Sequence, residues 1–402
     1  MKKKNQKIKK VHFKNPIFLA AFFLVLSPLC AHADWETSLK EALPQAEVVE
    51  TFDNLQDWSP AFAPNGRSTS GLPLEQDGSA SMWDLWDYWS AQAPLNTPWI
   101  GNHGENSWSG KSLRLDLSQG TSAKSGPSRF GLYFGSLQQD GIDPYSTNGI
   151  VESGYRDDIH IFYMAKFPAN AFPKDENGFV YFGYYKFNTC SLGFVSASEA
   201  QEGSDDYGAA NIHPHIQTGA SVSNHLRLTL RYASDADWPG VLEYSTVSGA
   251  GELDNFVDDS EWFGVEFHIH RGTPGMTNGY QEIWVYDKEG NAFYAGKSAD
   301  TMLVPAGKDW GFNRFWFGGN LSFDTTNLDP TYYVDDFVVS RERIGPSYFA
   351  ALAAYQNPAP TYAISDFFQL VSDWFTSNAS SDFNGDNLVN SRDLGILMGN
   401  WR

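Results

Sequence analysis

The feature that most constrains this fold is a repeated alternation of apolar and polar residues over 48–343. Runs of about five to nine residues alternate with period two and are separated by Gly, Asn, Asp or Pro clusters, which is typical of half-buried β-strands. The clearest runs are 129–134, 159–167, 179–187, 225–232, 262–270, 281–286, 314–317 and 332–340. Many short strands at this spacing, in one domain of roughly 300 residues, predict an all-β sandwich of the jelly-roll kind.

The N-terminal segment has the pattern of an export signal. A lysine-rich start is followed by an apolar run over 16–29 and by Ala31-His32-Ala33. The apolar run is shorter than the ~20 residues that a spanning helix needs, and small residues at this spacing favour signal-peptidase cleavage. The sequence therefore predicts a signal peptide over 1–33 and a secreted or periplasmic mature chain with no membrane span. Attachment to the cell surface is an open alternative.

Charge and cysteine content narrow the choice of partners and of stabilising bonds. The formal net charge is -20 and the isoelectric point is about 4.7, which argues against nucleic acid. An anionic sugar polymer stays open as a ligand, because it needs only a local basic patch. Removal of the signal peptide with Cys30 leaves Cys190 alone, so no intrachain disulfide can form in the mature chain.

The C-terminal tail contains an internal repeat. Residues 362–374 align without gaps on residues 389–401, and the second copy follows a loop with oxygen-bearing side chains at positions 1, 3, 5, 9 and 12. That spacing lets one loop wrap a calcium ion. Asn387 stands at position 6, where a left-handed backbone is needed and Asn tolerates it. The predicted metal ligands are Asp382, Asn384, Asp386, Asn390 and Asp393.

This tail resembles a dockerin module, in which two calcium-loop-and-helix repeats dock onto a cohesin. The first repeat departs from the pattern, since Tyr355 and Ala359 replace ligands of the second. The resemblance implies a degenerate, one-calcium module with a small α-helical EF-hand fold and a cohesin-like protein as a partner. The predicted organisation is a signal peptide over 1–33, a sandwich over 34–345, a linker over 346–361 and the dockerin-like module over 362–402.

Two passages of the large domain carry a second resemblance. Residues 261–286 read as a strand, a Thr-Pro-Gly turn and a returning strand, and 332–340 form a last strand with two central acids. Together with Glu-Thr-Phe-Asp at 50–53, they resemble the concanavalin-A-like jelly rolls of polysaccharide lyases and laminin-G-like domains. The resemblance implies a concave sheet that holds a sugar chain. It also suggests a structural calcium near Asp335 or Asp336, beside Glu50 or Asp53, although an ordinary acidic edge explains these residues equally well.

Several strands carry an unusual polar face. In a strand, residues two apart share a face. On that basis one face of 212–217 takes His213, His215 and Gln217, and one face of 225–232 takes His225, Arg227 and Arg231. A similar face in 262–286 takes His268, His270 and Trp284. Imidazole, guanidinium and aromatic groups on alternating positions suggest a sugar-binding groove, although a solvated outer face is the simpler explanation for any single residue.

Elimination from a uronic acid glycoside needs a carboxylate clamp, a base and an acid for the leaving oxygen. The resemblance implies His, Tyr, Gln and Arg or Lys in these roles. The predicted catalytic residues are His215, His213, Arg227, Tyr185 and Gln217. The predicted substrate-binding residues are Arg231, His268, His270, Trp284 and Lys186.

The sequence therefore predicts a secreted lyase that acts on a uronic-acid polysaccharide. Two other classes stay open: a lectin-like sugar-binding protein without catalysis, and a surface or assembly component that acts through the tail. Other chemistries lack their motifs, since the chain has no E-x-D-x-x-E strand, no G-x-S-x-G elbow and no H-E-x-x-H helix.

Overall fold

The architecture was analysed in a computed structural model of the chain. The residues that it describes are 34–59, 72–83, 85–88, 98–116, 128–134, 157–169, 184–186, 188–193, 210–219, 223–234, 244–245, 260–298, 300–317, 321–322, 331–356, 362 and 364–399. The predicted signal peptide over 1–33 lies outside them.

Strands dominate the described part of the chain up to residue 340. Their bounds are β1 Ala46–Glu50, β2 Leu85–Tyr88, β3 Pro98–Gly101, β4 Ser112–Asp116, β5 Ser128–Tyr133, β6 Asp158–Lys166, β7 Tyr184–Lys186, β8 Asn188–Gly193, β9 Ala210–Gly219, β10 Ser223–Ser234, β11 Tyr244–Ser245, β12 Phe263–His270, β13 Tyr280–Tyr286, β14 Ala292–Lys297, β15 Gly311–Phe317, β16 Leu321–Ser322 and β17 Thr331–Ser340.

Four α-helices flank the strands in the described residues, with one 3₁₀ turn between β3 and β4. They are α1 Trp35–Ala42, α2 Gly345–Gln356, α3 Ile364–Ser372 and α4 Ser391–Gly399, and the 3₁₀ turn is Gly104–Asn106.

The strands form two antiparallel sheets. Sheet 1 has the order β14-β13-β12-β6-β17-β4-β3, and β1 pairs with β17 at its centre. Sheet 2 has the order β11-β10-β9-β8-β15-β5-β2, with β7 and β16 attached beside β9. One apolar cluster joins the facing sides of the two sheets, with Val265 and Val334 from sheet 1 and Phe130 and Phe315 from sheet 2. The predicted β-sandwich is therefore confirmed at the level of two packed antiparallel sheets.

The alternation in the sequence sets which side chains enter this core. In β12, Val265, Phe267 and Ile269 belong to the core between the sheets. Glu266 and His268 alternate with them and so lie on the outer face of sheet 1, meaning its side away from the core. The inner side chains form a continuous apolar layer, because strands that pair in this register bring like faces together.

Helices α1 and α2 cover part of the outer face of sheet 1. Trp35 and Leu39 of α1 and Tyr348 of α2 form a second apolar cluster with Phe162 and Val338 of the sheet. Residues 346–356 of the segment predicted as a linker over 346–361 are therefore helical, and they pack on the sheet. The reason is the apolar face of α2, which gains more by burial than a flexible connection would.

The tail forms its own small core. Leu370 of α3 and Leu397 of α4 occupy equivalent positions in the sequence repeat, and both are fully buried together with Val389. Backbone bonds join the segments between the helices, from the N–H of Phe375 to the carbonyl of Val389 at 2.9 Å and from the N–H of Val389 to the carbonyl of Thr376 at 2.8 Å. The repeat thus builds a pair of helices that share one apolar centre.

In the part of the chain that the structure describes, no helix has the length and apolar character needed to cross a bilayer.

Candidate functional site

The outer face of sheet 2 can be assigned from strand register. Cys190 of β8 is buried in the core between the sheets, and it pairs with Ile212 of β9. Residues that oppose each other in an antiparallel pair share a face, so Ile212 belongs to the inner face. His213, His215 and Gln217 alternate with Ile212 and therefore belong to the outer face.

Register then aligns the neighbouring strands around His215. In β10, Thr229 pairs with His215, and in β7, Lys186 pairs with the same residue. These three residues form one row across the outer face, at the ~4.8 Å strand spacing of a sheet.

Two further rows lie on either side of this one. Arg227 and Tyr184 both pair with Gln217, and Arg231 pairs with His213. The candidates His213, His215, Gln217, Arg227, Arg231 and Lys186 thus share one face of one sheet.

The central part of the same sheet carries another aromatic and cationic pair. On β15, Phe315 and Phe317 belong to the core, so Arg314 and Trp316 lie on the outer face. The Arg314 guanidinium carbon stands 4.9 Å from the centre of the Trp316 ring, within cation–π range. This pair extends the polar face beyond the rows around His215.

Tyr185 is not brought to this face. It pairs with Ile216, an inner-face residue, whereas its neighbour Tyr184 pairs with Gln217. The prediction combined Tyr185 and Lys186 in one groove, yet adjacent residues of a strand point to opposite faces. The signal that identifies Tyr184 was in the sequence, since Tyr184 and Lys186 are two residues apart.

Three other candidates lie on the opposite side of the sandwich. His268 and His270 belong to β12 and Trp284 to β13, both strands of sheet 1. They cannot line one groove with His215 and Arg227, because the two sheets and the core between them separate the two outer faces. Strand order is what separates the two groups, and strand order is not encoded in local periodicity.

The histidines of sheet 1 form a dense network. His268 contacts Glu282 through Nδ1 and Asp158 through Nε2, both at 2.7 Å. Both ring nitrogens of His268 thus lie within hydrogen-bond distance of a carboxylate. The ring of His160 stacks on that of His268, with centres 4.2 Å apart, and His270 also contacts Asp158, at 2.9 Å.

Asp158 is held in its charged form by this arrangement. Burial acts to raise the pKa of Asp158, but hydrogen bonds from His268 and His270 outweigh it, and the pKa lies below its usual value. The imidazole groups that looked like ligands for sugar are thus engaged with carboxylates of the same sheet.

Glu266 anchors a helix to this network. Its side chain is fully buried, and it accepts hydrogen bonds from the backbone N–H groups of Ile344 and Gly345 at 2.7 and 3.0 Å. The hydroxyl of Tyr286 donates to it at 2.8 Å, and His160 contacts it at 3.1 Å. Burial acts to raise the pKa of Glu266, but these hydrogen bonds outweigh it and lower the pKa. Glu266 therefore has a structural role at the start of α2.

Acids also meet where the first and last strands pair. Asp335 and Asp336 are fully buried in β17. Asp335 accepts hydrogen bonds from the backbone N–H groups of Trp108 and Ser109. Burial raises the pKa of Asp336 to about 7, and one of its carboxylate oxygens has no hydrogen-bond partner.

Within the described residues, no three acidic or imidazole side chains are placed here to hold a metal ion. Burial and then the charges of Asp336 and Asp53 raise the pKa of Asp335. A buried acid pair with an unpartnered oxygen is compatible with a hard cation, which takes oxygen ligands.

The tail loop is ordered by hydrogen bonds to the side chains of Asp382 and Asp393. Asp382 accepts hydrogen bonds from the N–H groups of Asp386 and Asn387, at 3.1 and 2.6 Å. Asp393 is fully buried and closes the loop by accepting from the N–H groups of Asn384 and Asn390, at 3.1 and 2.8 Å. Asn387 has the left-handed backbone that its position requires, with a φ of 64°.

This oxygen set fits a hard cation in kind. Within the described ranges, no three His, Cys, Asp or Glu side chains are placed to hold a metal ion. A calcium ion in the tail would therefore also need the oxygens of the Asn side chains and of the backbone.

Comparison with known proteins gives only distant likenesses. No protein-family model matches the sequence, and no curated protein is significantly similar to it. Among solved structures, the chain is similar to an alginate lyase from Aplysia kurodai, at 14% identity and a TM-score of 0.42, covering 71% of this chain and 98% of that one. The alginate lyase Aly36B has 12% identity and a TM-score of 0.41, covering 74% of this chain and 97% of that one.

A protein of another class is also similar. The binding domain of botulinum neurotoxin serotype G has 11% identity and a TM-score of 0.30, covering 83% of this chain and 54% of that chain. Since likenesses at this level extend to different classes of protein, they do not define an activity. Any function must be argued from this chain's own residues.

Proposed function

We propose that this chain is a polysaccharide lyase that cleaves a uronic-acid polymer by β-elimination on the outer face of sheet 2. The observation that carries the proposal is the register of β7, β9 and β10. It groups His215 and Lys186 in one row and Arg227, Gln217 and Tyr184 in the next. Cationic residues grouped in this way, on a chain whose net charge is -20, favour an anionic ligand.

Each chemical requirement has a candidate in these rows. Arg227 would neutralise the substrate carboxylate as a bidentate partner, with Gln217 assisting, so that the adjacent proton becomes acidic. His215 would take that proton, with His213 as the other candidate base. The electron pair left by the proton forms the new double bond, and the glycosidic oxygen leaves with a proton from the acid.

The acid is the one role that we reassign. Tyr185 was the predicted donor, but its register pairs it with Ile216 rather than with the rows of His215 and Gln217. We therefore give the role to Tyr184. Lys186 and Arg231 would bind the neighbouring uronate groups, because both are cations in or beside these rows.

The test is an elimination assay on the purified mature protein. It is incubated with alginate, glucuronan and sulfated uronic-acid glycans, and the ultraviolet absorbance of the unsaturated product is followed. A rise on one polymer that is lost in Arg227→Ala and in His215→Ala supports the proposal. A flat trace across the panel, with retardation of the protein in gels that contain polysaccharide, would assign the chain to the lectin-like class instead.

We propose a second role for the tail as a calcium-dependent docking module for a cohesin-like protein. The supporting observation is a stripe of exposed apolar side chains along and just after α3. Ile364, Phe368, Val371 and Phe375 are 41%, 59%, 50% and 75% exposed. The spacing of four and three residues places Ile364, Phe368 and Val371 on one side of the helix, and Phe375 follows in the turn after it.

This role can be tested apart from catalysis. In the tail, calcium would be held by Asp382, Asn384, Asp386, Asn390 and Asp393. A second, structural calcium ion would be held in the sandwich by Asp335 and Asp336. A Phe368→Ser variant should lose binding to cohesin modules while it still binds calcium. Equal binding by Phe368→Ser and the parent chain would reject the stripe as the docking surface.

A further inference from the structure

An exposed tryptophan stands at the edge of sheet 1. Trp99 belongs to β3, the edge strand, and its neighbour Ile100 is fully buried in the core. Alternation therefore puts Trp99 on the outer face, where its side chain is 42% exposed. Within the described part of the sandwich, the other large apolar side chains with comparable exposure are Leu74 and Met276, neither of them aromatic.

The indole is held against the strand rather than projecting from it. A Cβ placed on Gly101 would lie 3.1 Å from Nε1 of Trp99 and 3.7 Å from two of its ring carbons. The ring thus lies across Gly101, and the absence of a side chain there is what lets it approach. His103 packs edge-on against the ring with centres 4.9 Å apart, and its Nε2 is 3.3 Å from the carbonyl of Trp99.

A cation accompanies the ring. Arg114 of β4 is directly opposite Trp99 in the register, and its guanidinium carbon is 5.8 Å from the ring centre. Tyr333 of β17 is opposite Arg114 on the other side and packs against His103. A supported indole with a guanidinium beside it offers an apolar surface for a sugar ring and a partner for a carboxylate.

We infer that Trp99 and Arg114 form a second saccharide-binding site, which takes a uronate unit of the polymer on the face opposite to the proposed groove. The pyranose ring stacks on the indole, and its carboxylate pairs with Arg114. The identity of this ligand rests on the proposed function. The site lies on sheet 1, so it holds a part of the polymer that is not in the groove. Such a contact raises the local concentration of polymer near the groove without taking part in the chemistry.

The rest of the outer face of sheet 1 is less suited to this role. His160 and His268 stack on each other, and their nitrogens face carboxylates. Tyr280 stacks on His270, and Lys297 stands 3.4 Å from its ring centre. These rings are engaged with their neighbours, whereas the larger indole of Trp99 keeps a substantial exposed area.

Binding is measured by calorimetry in a His215→Ala background, so that the polymer is not cleaved during the titration. The probes are alginate and glucuronan, with a neutral glucan as the uncharged polymer. Trp99→Ala should weaken binding of the acidic polymer roughly tenfold, as loss of an aromatic anchor does. Met276→Ala is the matched control, because Met276 is an apolar side chain that is 57% exposed on the same domain.

Two more variants separate the parts of the site. Gly101→Ala keeps the indole but makes it shift by a few tenths of an ångström, so it should weaken binding less than Trp99→Ala does. Arg114→Ala should weaken binding of the acidic polymers and leave the neutral glucan unchanged. Equal affinities of Trp99→Ala and Met276→Ala for every acidic probe would overturn the inference.

The outcome is distinguishable from failure of the proposed function. With His215 intact, Trp99→Ala should eliminate short uronate oligosaccharides at the parental rate, and loss of that rate would show that the site is not separate. If no polymer is eliminated but binding still depends on Trp99, the lyase proposal fails and the binding site stands. If elimination proceeds and binding does not depend on Trp99, the lyase proposal stands and the second binding site is rejected.

Discussion

The outer faces of the two sheets differ in what their polar residues contact. On sheet 1, Glu266 is fully buried beneath the start of α2, and His268 contacts a carboxylate with each ring nitrogen. On sheet 2, register collects Arg227, Arg231 and Lys186 around the histidines of β9. Histidines in alternating strand positions thus occur in both sheets, and in sheet 1 the described contacts supply a structural reason for them.

The difference shows how to decide whether polar residues on one face of a strand have a structural or a functional role. A polar residue opposite an acid on a neighbouring strand has a structural explanation, as the pairing of His268 with Glu282 illustrates. In sheet 2 the cross-strand partners of His213, His215 and Gln217 are Arg231, Thr229 and Arg227. None of these partners is an acid, and the cationic residues of this face would suit a ligand of opposite charge.

The sharpest test of this contrast compares two adjacent tyrosines. If Tyr184 lies with the active rows and Tyr185 with the core, Tyr184→Phe should lower the elimination rate by roughly a hundredfold to ten-thousandfold, the usual contribution of a general acid. Tyr185→Phe should leave the rate within about threefold, because its register places Tyr185 away from the rows that would supply the proton. Steady-state rates on the best polymer measure both. The reverse ranking would show that the strand register is shifted by one residue.

The next largest effect is expected for stability on sheet 1. Glu266→Ala should destabilise the protein by about 3 kcal/mol, since it leaves buried N–H and hydroxyl groups without their acceptor. Glu282→Ala is the control on the same face, because its side chain is 25% exposed and such a contact contributes about 1 kcal/mol at most. Denaturant unfolding compares the two variants. Similar unfolding midpoints for the two variants would contradict the structural role assigned to Glu266.

The same carboxylate predicts a pH dependence. The pKa of Glu266 is lowered in the folded state, so it contributes stability above its unfolded pKa of about 4.3. That contribution is lost as the pH falls through the folded value. Glu266→Gln should therefore unfold with a shallower dependence on pH below about 5 than the parent chain. Chemical unfolding at a series of acidic pH values measures this, and parallel curves would contradict the assignment.

The tail offers a smaller, local effect. Asp382→Ala combined with Asp386→Ala should lower calcium affinity by at least about tenfold, because two anionic ligands are lost. Calorimetric titration of calcium measures it, with Asp373→Ala as a control acid outside the loop. The unfolding midpoint of the sandwich should stay unchanged. An unaltered calcium affinity would show that calcium binds at another site, and Asp335 and Asp336 would be the next candidates.

The smallest effect is expected for a predicted substrate residue on sheet 1. His270→Ala should change the elimination rate by less than about twofold, since His270 contacts Asp158 on the face opposite to the proposed groove. The elimination assay at saturating polymer measures this. A large loss of rate in His270→Ala would contradict the proposal that elimination takes place on sheet 2 and not on sheet 1.

Much of the fold could be predicted from the sequence. The run over 332–340 corresponds to β17, Thr331–Ser340, and the run over 262–270 to β12, Phe263–His270. The linker predicted over 346–361 rests on Pro358 and Pro360, and both lie beyond the last residue of the helix at 345–356. Pro346 is the second residue of that helix, and proline is well tolerated in the first turn.

The candidate site was predictable only in part. Alternation put His213, His215 and Gln217 on one side of a strand, and the register agrees with that grouping. The sequence could not separate them from His268 and Trp284, since every strand has two faces and nothing local says which sheet it joins. Tyr185 was chosen by resemblance, and the period of two argued for Tyr184.

The sequence by itself determined the strands, their apolar faces and the repeated helices of the tail, because these depend on residues close together in the chain. The tertiary structure alone decided which polar faces belong together. It put Glu266 beneath the start of α2, and it aligned Arg227 with Gln217 and Lys186 with His215. The physical reason is that strand order and sheet packing are set by the summed burial of the whole core. No single segment of the sequence determines how much apolar surface the whole core buries.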